Sequence, residues 1–146
     1  MEEYQIVSVV GRPVAEVFAA LCDFGRAPEW NPGLIEVRQD DSAPFGVGSE
    51  IVYVGHFLGR SYESPATCTE FVPNRKLTTR SETGPFALEV ATELEEAAGN
   101  TTVTANYRGE SRGFFKLAEP LVVRLAKRQF ELATENLKAL LEAGAM

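Results

Sequence analysis

The chain has one histidine, two cysteines and one tryptophan in its 146 residues, and these shortages remove whole classes of chemistry. Any Ser-His-Asp or Cys-His unit would have to use His56, and any metal site would have to pair it with carboxylates. His56 lies in or beside a hairpin near Gly59, with no partner at ligand spacing. It reads as a turn-proximal or pocket-wall residue rather than a catalytic one. A structural zinc site is excluded, because one His with the separated Cys22 and Cys68 does not supply its ligands. The cysteines, one in an apolar helix and one in an apparent strand, read as small, buried, reduced side chains. No metal and no cofactor are expected.

Basic charge is also scarce. With Lys and Arg at 14 against Asp and Glu at 21, the net charge is −7, which argues against nucleic acid or an anionic membrane as partner. The local cluster Arg124, Lys127 and Arg128 is flanked by Glu119 and Glu131 and reads as a solvated helix face. Long apolar runs are missing, so no membrane span is expected. The start, Met-Glu-Glu-Tyr, has neither a basic nor an apolar leader region. The expectation is a cytoplasmic protein. Internal repeats and low-complexity linkers are absent, and Gly46 and Gly48 read as turn glycines without a phosphate-cradling pattern. The remaining composition, 45% hydrophobic and 24% charged, is that of an ordinary folded chain. Residues 1–146 suffice for one domain around one core.

Gln5–Val10 reads as a strand ending at Gly11, after which Arg12-Pro13 opens a helix with Val14, Val17, Phe18 and Leu21 on its apolar face, running to about Asp23. Arg26–Gly33 reads as a helical turn or tight loop holding Trp30. Strands follow at Leu34–Arg38, Glu50–Phe57, Ser61–Phe71, Lys76–Glu82, Phe86–Leu94 and Thr101–Arg108. Their turns fall at Leu58-Gly59-Arg60, Pro73-Asn74, Gly84-Pro85 and Gly99-Asn100, and such short separators favour antiparallel hairpins. Leu88, Val90 and Leu94 alternate with Glu89, Ala91 and Glu93, and Val103, Ala105 and Tyr107 continue the dry face. The order predicts an α+β fold: a curved antiparallel sheet of six or seven strands, two short helices after strand 1, and a long C-terminal helix.

That last helix, over 117–143, carries Leu117, Leu121, Val122, Leu125, Ala126, Phe130, Leu132, Ala133, Leu137, Leu140 and Leu141 at spacings of three and four. Leu125, Leu137 and Leu140 are expected to be largely buried. Gln129 and Asn136 fall near the middle of this apolar fan, and buried amides need partners. Either they bond across the core to strand residues such as Thr79, Thr92 or Tyr107, or they face a cavity holding ligand or water. A helix of this length, about 39 Å, lies across the whole sheet and leaves a space to be filled. A cavity of about 300 Å³ or more, apolar and without a charged pair, would favour binding.

This order of elements resembles the START-like (SRPBCC) helix-grip superfamily, which is also Bet v 1-like, and within it the bacterial polyketide cyclase/dehydrase and lipid transport group. The resemblance spans the full chain. It is carried by Pro13–Phe18, Trp30-Asn31-Pro32-Gly33, Gly46–Ser49, Glu70–Leu77 and Leu125–Glu142. It implies a single ligand-binding domain with a pocket between the curved sheet and the C-terminal helix. The reading favoured is binding of a small hydrophobic molecule (a lipid, polyketide or steroid-like compound) by a monomer or weak homodimer. The candidate ligand-binding residues are Gln129, Asn136, Tyr107, Tyr53, Leu125, Leu88, Val90 and Trp30. The alternative is a cyclase, aromatase or dehydratase without metal, using a Tyr, Arg, His or Glu to move protons. Tyr53, Tyr62, Arg80, Tyr107 and Arg112 are its polar candidates, although strand parity favours an exposed Arg80. Glu70 or Glu82 would serve as base only if burial raised its pKa. Trp30 with Phe24 reads either as the plug closing one end of the cup or as part of the ligand entrance.

Overall fold

A computed structural model describes residues 2–40, 42–82, 86–111 and 113–146. The Gly84-Pro85 turn and the Arg112 candidate lie outside the described residues. Strand β1 (Glu2–Val10) leads into α1 (Val14–Cys22) and a 3-10 segment, Phe24–Glu29. Then come β2 (Leu34–Gln39), β3 (Glu50–Phe57), β4 (Arg60–Val72), β5 (Lys76–Ser81), β6 (Phe86–Ala97) and β7 (Asn100–Ser111). A second 3-10 segment, Gly113–Ala118, precedes α2 (Glu119–Glu142). Among the described residues seven strands form one antiparallel sheet in the order β1-β7-β6-β5-β4-β3-β2. The expected α+β architecture is present; β1, β2, β4, β6 and β7 run longer than the sequence pattern suggested, β3 matches it, and β5 ends one residue earlier, at Ser81.

Local chemistry explains the joints. Leu58 and Gly59 have φ of 51° and 75°, and Ala98 and Gly99 have 53° and 80°, the paired positive dihedrals of two-residue hairpins whose twist matches the strands. Register shifts at Leu34/Glu36 and Cys68/Glu70 add local twist, as β-bulges do. Pro13 stands just before α1, and the first amide of that helix, Val14 N–H, donates to the Glu96 carboxylate at 2.7 Å, placing an anion at the positive helix end.

The C-terminus of α2 is tied to the β1–α1 joint. Arg12 Nε donates to the Leu141 carbonyl at 2.9 Å and Nη2 to that of Glu142 at 3.2 Å. Gly11 N–H donates to the Glu142 carboxylate at 2.8 Å. The fully buried Thr101 hydroxyl donates to the Arg12 carbonyl at 2.8 Å. Carbonyls that helix ends leave unpaired are thereby satisfied by a cation suited to the dipole.

The core joins Val17, Phe18 and Phe24 of the helical pieces to Ile51, Cys68, Leu77 and Leu94 of the sheet and Leu137 and Leu141 of α2. Rings Phe24, Phe45, Phe71 and Phe18 follow one another at 5.0, 5.5 and 5.6 Å between centroids. Both cysteines are free thiols; Cys68 is buried and Cys22 half-buried, and burial pushes the Cys22 thiol up to about 11.

The register of α2 differs from expectation. Its buried residues are Val122, Ala133, Leu137 and Leu141, whereas Leu117, Leu121 and Leu125 are 87%, 46% and 37% exposed and Leu140 is half-buried. Counting the outward leucines as core had moved the apparent centre of the stripe onto Gln129 and Asn136. The consequence is measurable. Ile51→Ala should lose about 2–5 kcal/mol and Leu125→Ala about 1 kcal/mol or less in urea unfolding; equal losses would contradict this register.

Candidate functional site

Strand parity builds the floor of the site. Inward positions alternate along each strand: Tyr53 on β3, Tyr62, Ser64 and Ala66 on β4, Leu77, Thr79 and Ser81 on β5, Leu88, Val90 and Thr92 on β6, and Val103, Ala105 and Tyr107 on β7. Helix α2 supplies the roof through Ala126, Gln129, Phe130, Ala133, Thr134, Leu137 and Lys138, and Phe24, Trp30 and Asn31 close one side. They line a partly open cavity of about 220 Å³, below the usual ligand-site range of about 300–1,000 Å³. The close backbone approaches of α2 to the sheet are to β1 and β7. There Phe130 stacks on Tyr107 at 4.6 Å between ring centroids, and Tyr107 on Tyr4 at 5.0 Å. Those rings prop the helix above the floor.

Of the sequence-derived candidates, Tyr53, Tyr107, Leu88, Val90, Trp30 and Gln129 all line the cavity. Leu125 and Asn136 are exposed and form no part of its wall. His56 is exposed, with Ser61 Oγ 3.0 Å from its Nδ1. Arg80 is exposed and pairs with Glu82 at 3.1 Å. Glu70 accepts from the Thr78 hydroxyl at 3.1 Å and pairs with Lys76 at 3.3 Å. None of His56, Arg80, Glu70 and Glu82 reaches the cavity.

The two helix amides have partners that neither sequence reading named. Gln129 Nε2 donates to Asn31 Oδ1 at 3.3 Å, and Asn136 Nδ2 donates to the Trp30 carbonyl at 3.1 Å. Asn31, 8% exposed, also accepts from Gly33 N–H at 3.2 Å, and the Gly33 carbonyl accepts from His56 N–H at 3.0 Å. The Trp30–Gly33 turn is therefore stitched to α2 on one side and to β3 on the other. A Cβ at position 33 would overlap the Gln129 amide, so any other residue there has to displace that side chain. The buried Trp30 indole N–H finds no acceptor among the described residues, a cost of about 1–3 kcal/mol.

Electrostatically the wall is neutral. Among the described residues Lys138 is its single charged member. Burial pushes the phenols of Tyr53, Tyr62 and Tyr107 up from the ordinary tyrosine range, and at Tyr53 the nearby Thr79 hydroxyl opposes the shift. All three stay protonated at neutral pH. No three His, Cys, Asp or Glu side chains come together among the described residues. Sequence reasoning named Thr79 only as a possible partner of the helix amides and missed Ser64 and Ser81; their inward parity on β4 and β5 was the available signal.

With this geometry in view, the chain matches the family described as polyketide cyclase / dehydrase and lipid transport over residues 1–142. It belongs to that family. This polyketide cyclase/dehydrase family member resembles a protein of Thermus thermophilus (16% identity, 99% of this chain and 100% of that one, TM-score 0.83). It resembles a START superfamily protein from Mycobacterium smegmatis as well (16%, 97% and 97%, TM-score 0.78). A third likeness is to the Zhui aromatase/cyclase of a Streptomyces species (14%, 95% and 94%, TM-score 0.75). At these identities the likeness is one of fold, here the START-like helix grip. No curated protein matches. No helix among the described residues is long and apolar enough to cross a membrane.

The stitched turn makes a sharp double-mutant test. Gly33→Ala should destabilise the protein by about 1–3 kcal/mol by displacing the Gln129 amide. In a Gln129→Ala background the same change should cost under about 1 kcal/mol. Additive losses in thermal unfolding would mean that the two residues do not meet.

Proposed function

We propose that this protein binds a small, largely apolar molecule in the cavity between the sheet and α2 and releases it unchanged. The observation that carries the reading is the wall itself: a partly open cavity lined by apolar side chains and neutral hydroxyls, the usual composition of a small-molecule site. Its volume suits a ligand at the small end of the range. The polyketide and lipid chemistry in the family description and the aromatase/cyclase similar in fold are consistent with an apolar, ring-bearing occupant.

Turnover as a cyclase or dehydratase needs an acid and a base matched to neutral pH within reach of the substrate. The phenols could donate protons, but among the described wall residues no carboxylate or imidazole stands beside them. This supports binding over catalysis.

The test is a fluorescence titration with the neutral probe N-phenyl-1-naphthylamine. The expected outcome is saturable one-to-one binding, with affinity lowered about tenfold or more, 1.4 kcal/mol or more, by Val90→Phe, which fills the space. A linear, unsaturable signal that the substitution leaves unchanged would remove the proposal.

A further inference from the structure

Polar side chains stand at several places round the cavity, and one group of hydroxyls lies together on the β3–β5 floor. Tyr53 on β3 lies opposite Ser64 on β4 in the strand register. Ser64 Oγ is 2.7 Å from Ser81 Oγ on β5, and Ser81 donates to the Pro65 carbonyl at 2.8 Å. Ser81 has spent its hydrogen on that carbonyl, so Ser64 is the donor between the two serines. Two residues back along β5, on the same face, Thr79 lines the cavity together with Tyr53. Each of these hydroxyls carries one O–H and spare lone pairs. The Tyr53–Thr79 pair can therefore both donate to and accept from a third oxygen. Leu88, Val90 and Val103 line the neighbouring strands β6 and β7, where a carbon skeleton would rest.

What the patch lacks is equally specific. The wall contains no Arg, His, Asp or Glu among the described residues, and its one cation, Lys138, stands on α2 rather than on the hydroxyl-bearing strands. An ionised group brought into apolar surroundings without a counter-charge is penalised far more than a hydrogen bond returns. A neutral oxygen meets no such penalty and relieves the desolvation of the hydroxyl pair.

Resting on the binding reading above, we infer that the cavity selects an uncharged ligand with a hydroxyl or carbonyl oxygen. That oxygen docks on the Tyr53–Thr79 hydroxyl pair, and the same skeleton bearing a carboxylate is rejected. The ligand class is thus a neutral phenol, alcohol or ketone on an apolar frame, not a fatty acid or other carboxylate.

Calorimetric titration with 2-naphthol, naphthalene and 2-naphthoate at neutral pH tests this, since the phenol is then uncharged and the carboxylate ionised. Naphthol should bind about tenfold more tightly than naphthalene, the equivalent of one net hydrogen bond. It should bind about a hundredfold more tightly than naphthoate, whose charge goes unpaired. In Tyr53→Phe, and again in Thr79→Val, the naphthol-to-naphthalene ratio should fall toward one. These are ratios within one folded protein, so a general loss of stability does not mimic them. Equal binding of naphthol and naphthalene by the wild type overturns the inference while leaving the binding reading intact. So does naphthoate binding comparable to naphthol that Lys138→Met abolishes, which would make the ligand an acid held by α2. Failure of all three probes to bind overturns both.

Discussion

Everything distinctive in this molecule depends on how α2 is held. Its last carbonyls are held by the Arg12 guanidinium and its final carboxylate by Gly11 N–H. Farther back along the helix, Gln129 and Asn136 reach to Asn31 and the Trp30 carbonyl. With Phe130 stacked on Tyr107, these anchors fix the helix to the β1–β7 side and to the Trp30–Gly33 turn. The close backbone approaches of α2 then lie at β1 and β7, and β3 to β6 face it across the cavity. A close-packed interior would leave no space there; here the anchors keep the roof up and the space becomes a cavity.

The side chains bordering that space follow from the same constraint. Where α1 and the end of α2 meet the sheet, Val17, Leu137 and Leu141 pack with Ile51, Leu77 and Leu94, the material of an ordinary core. Positions under the unsupported middle of the helix carry Ser64, Thr79, Ser81 and Tyr53 instead. Buried hydroxyls persist where they find one another, as Ser64 finds Ser81, because unpaired they would be destabilising. The result is a neutral polar patch within an apolar wall, a surface that orients a ligand without charge.

Much of the fold was legible in the residues and less of the site. The span Glu50–Phe57 and the inward parity of Leu88, Val90, Val103 and Tyr107 follow from period-two alternation, which depends only on neighbours in the chain. Arg80 could be placed outside by the same argument. The face of α2 could not be read correctly, because Leu117, Leu121 and Leu125 have helical spacing yet stand in solvent. Periodicity does not report which part of a wide stripe meets the sheet. The partners of Gln129 and Asn136 were hidden for another reason: they lie 98 and 106 positions away in the chain, and their pairing exists only once the turn docks on the helix. Trp30 was recognisable as a wall residue by its size, whereas Asn31 and Gly33, which hold the turn, carry no local signal of that duty.

The central claim is that a propped helix leaves a stable apolar cavity over β3 to β7. Diffraction from crystals held under xenon pressure tests it most directly, because xenon enters dry, apolar voids and reports their place. The account predicts xenon density between α2 and the floor formed by Tyr53, Thr79, Val90 and Tyr107. A xenon-free structure in which Phe130, Trp30 and those side chains have closed over the space would contradict it.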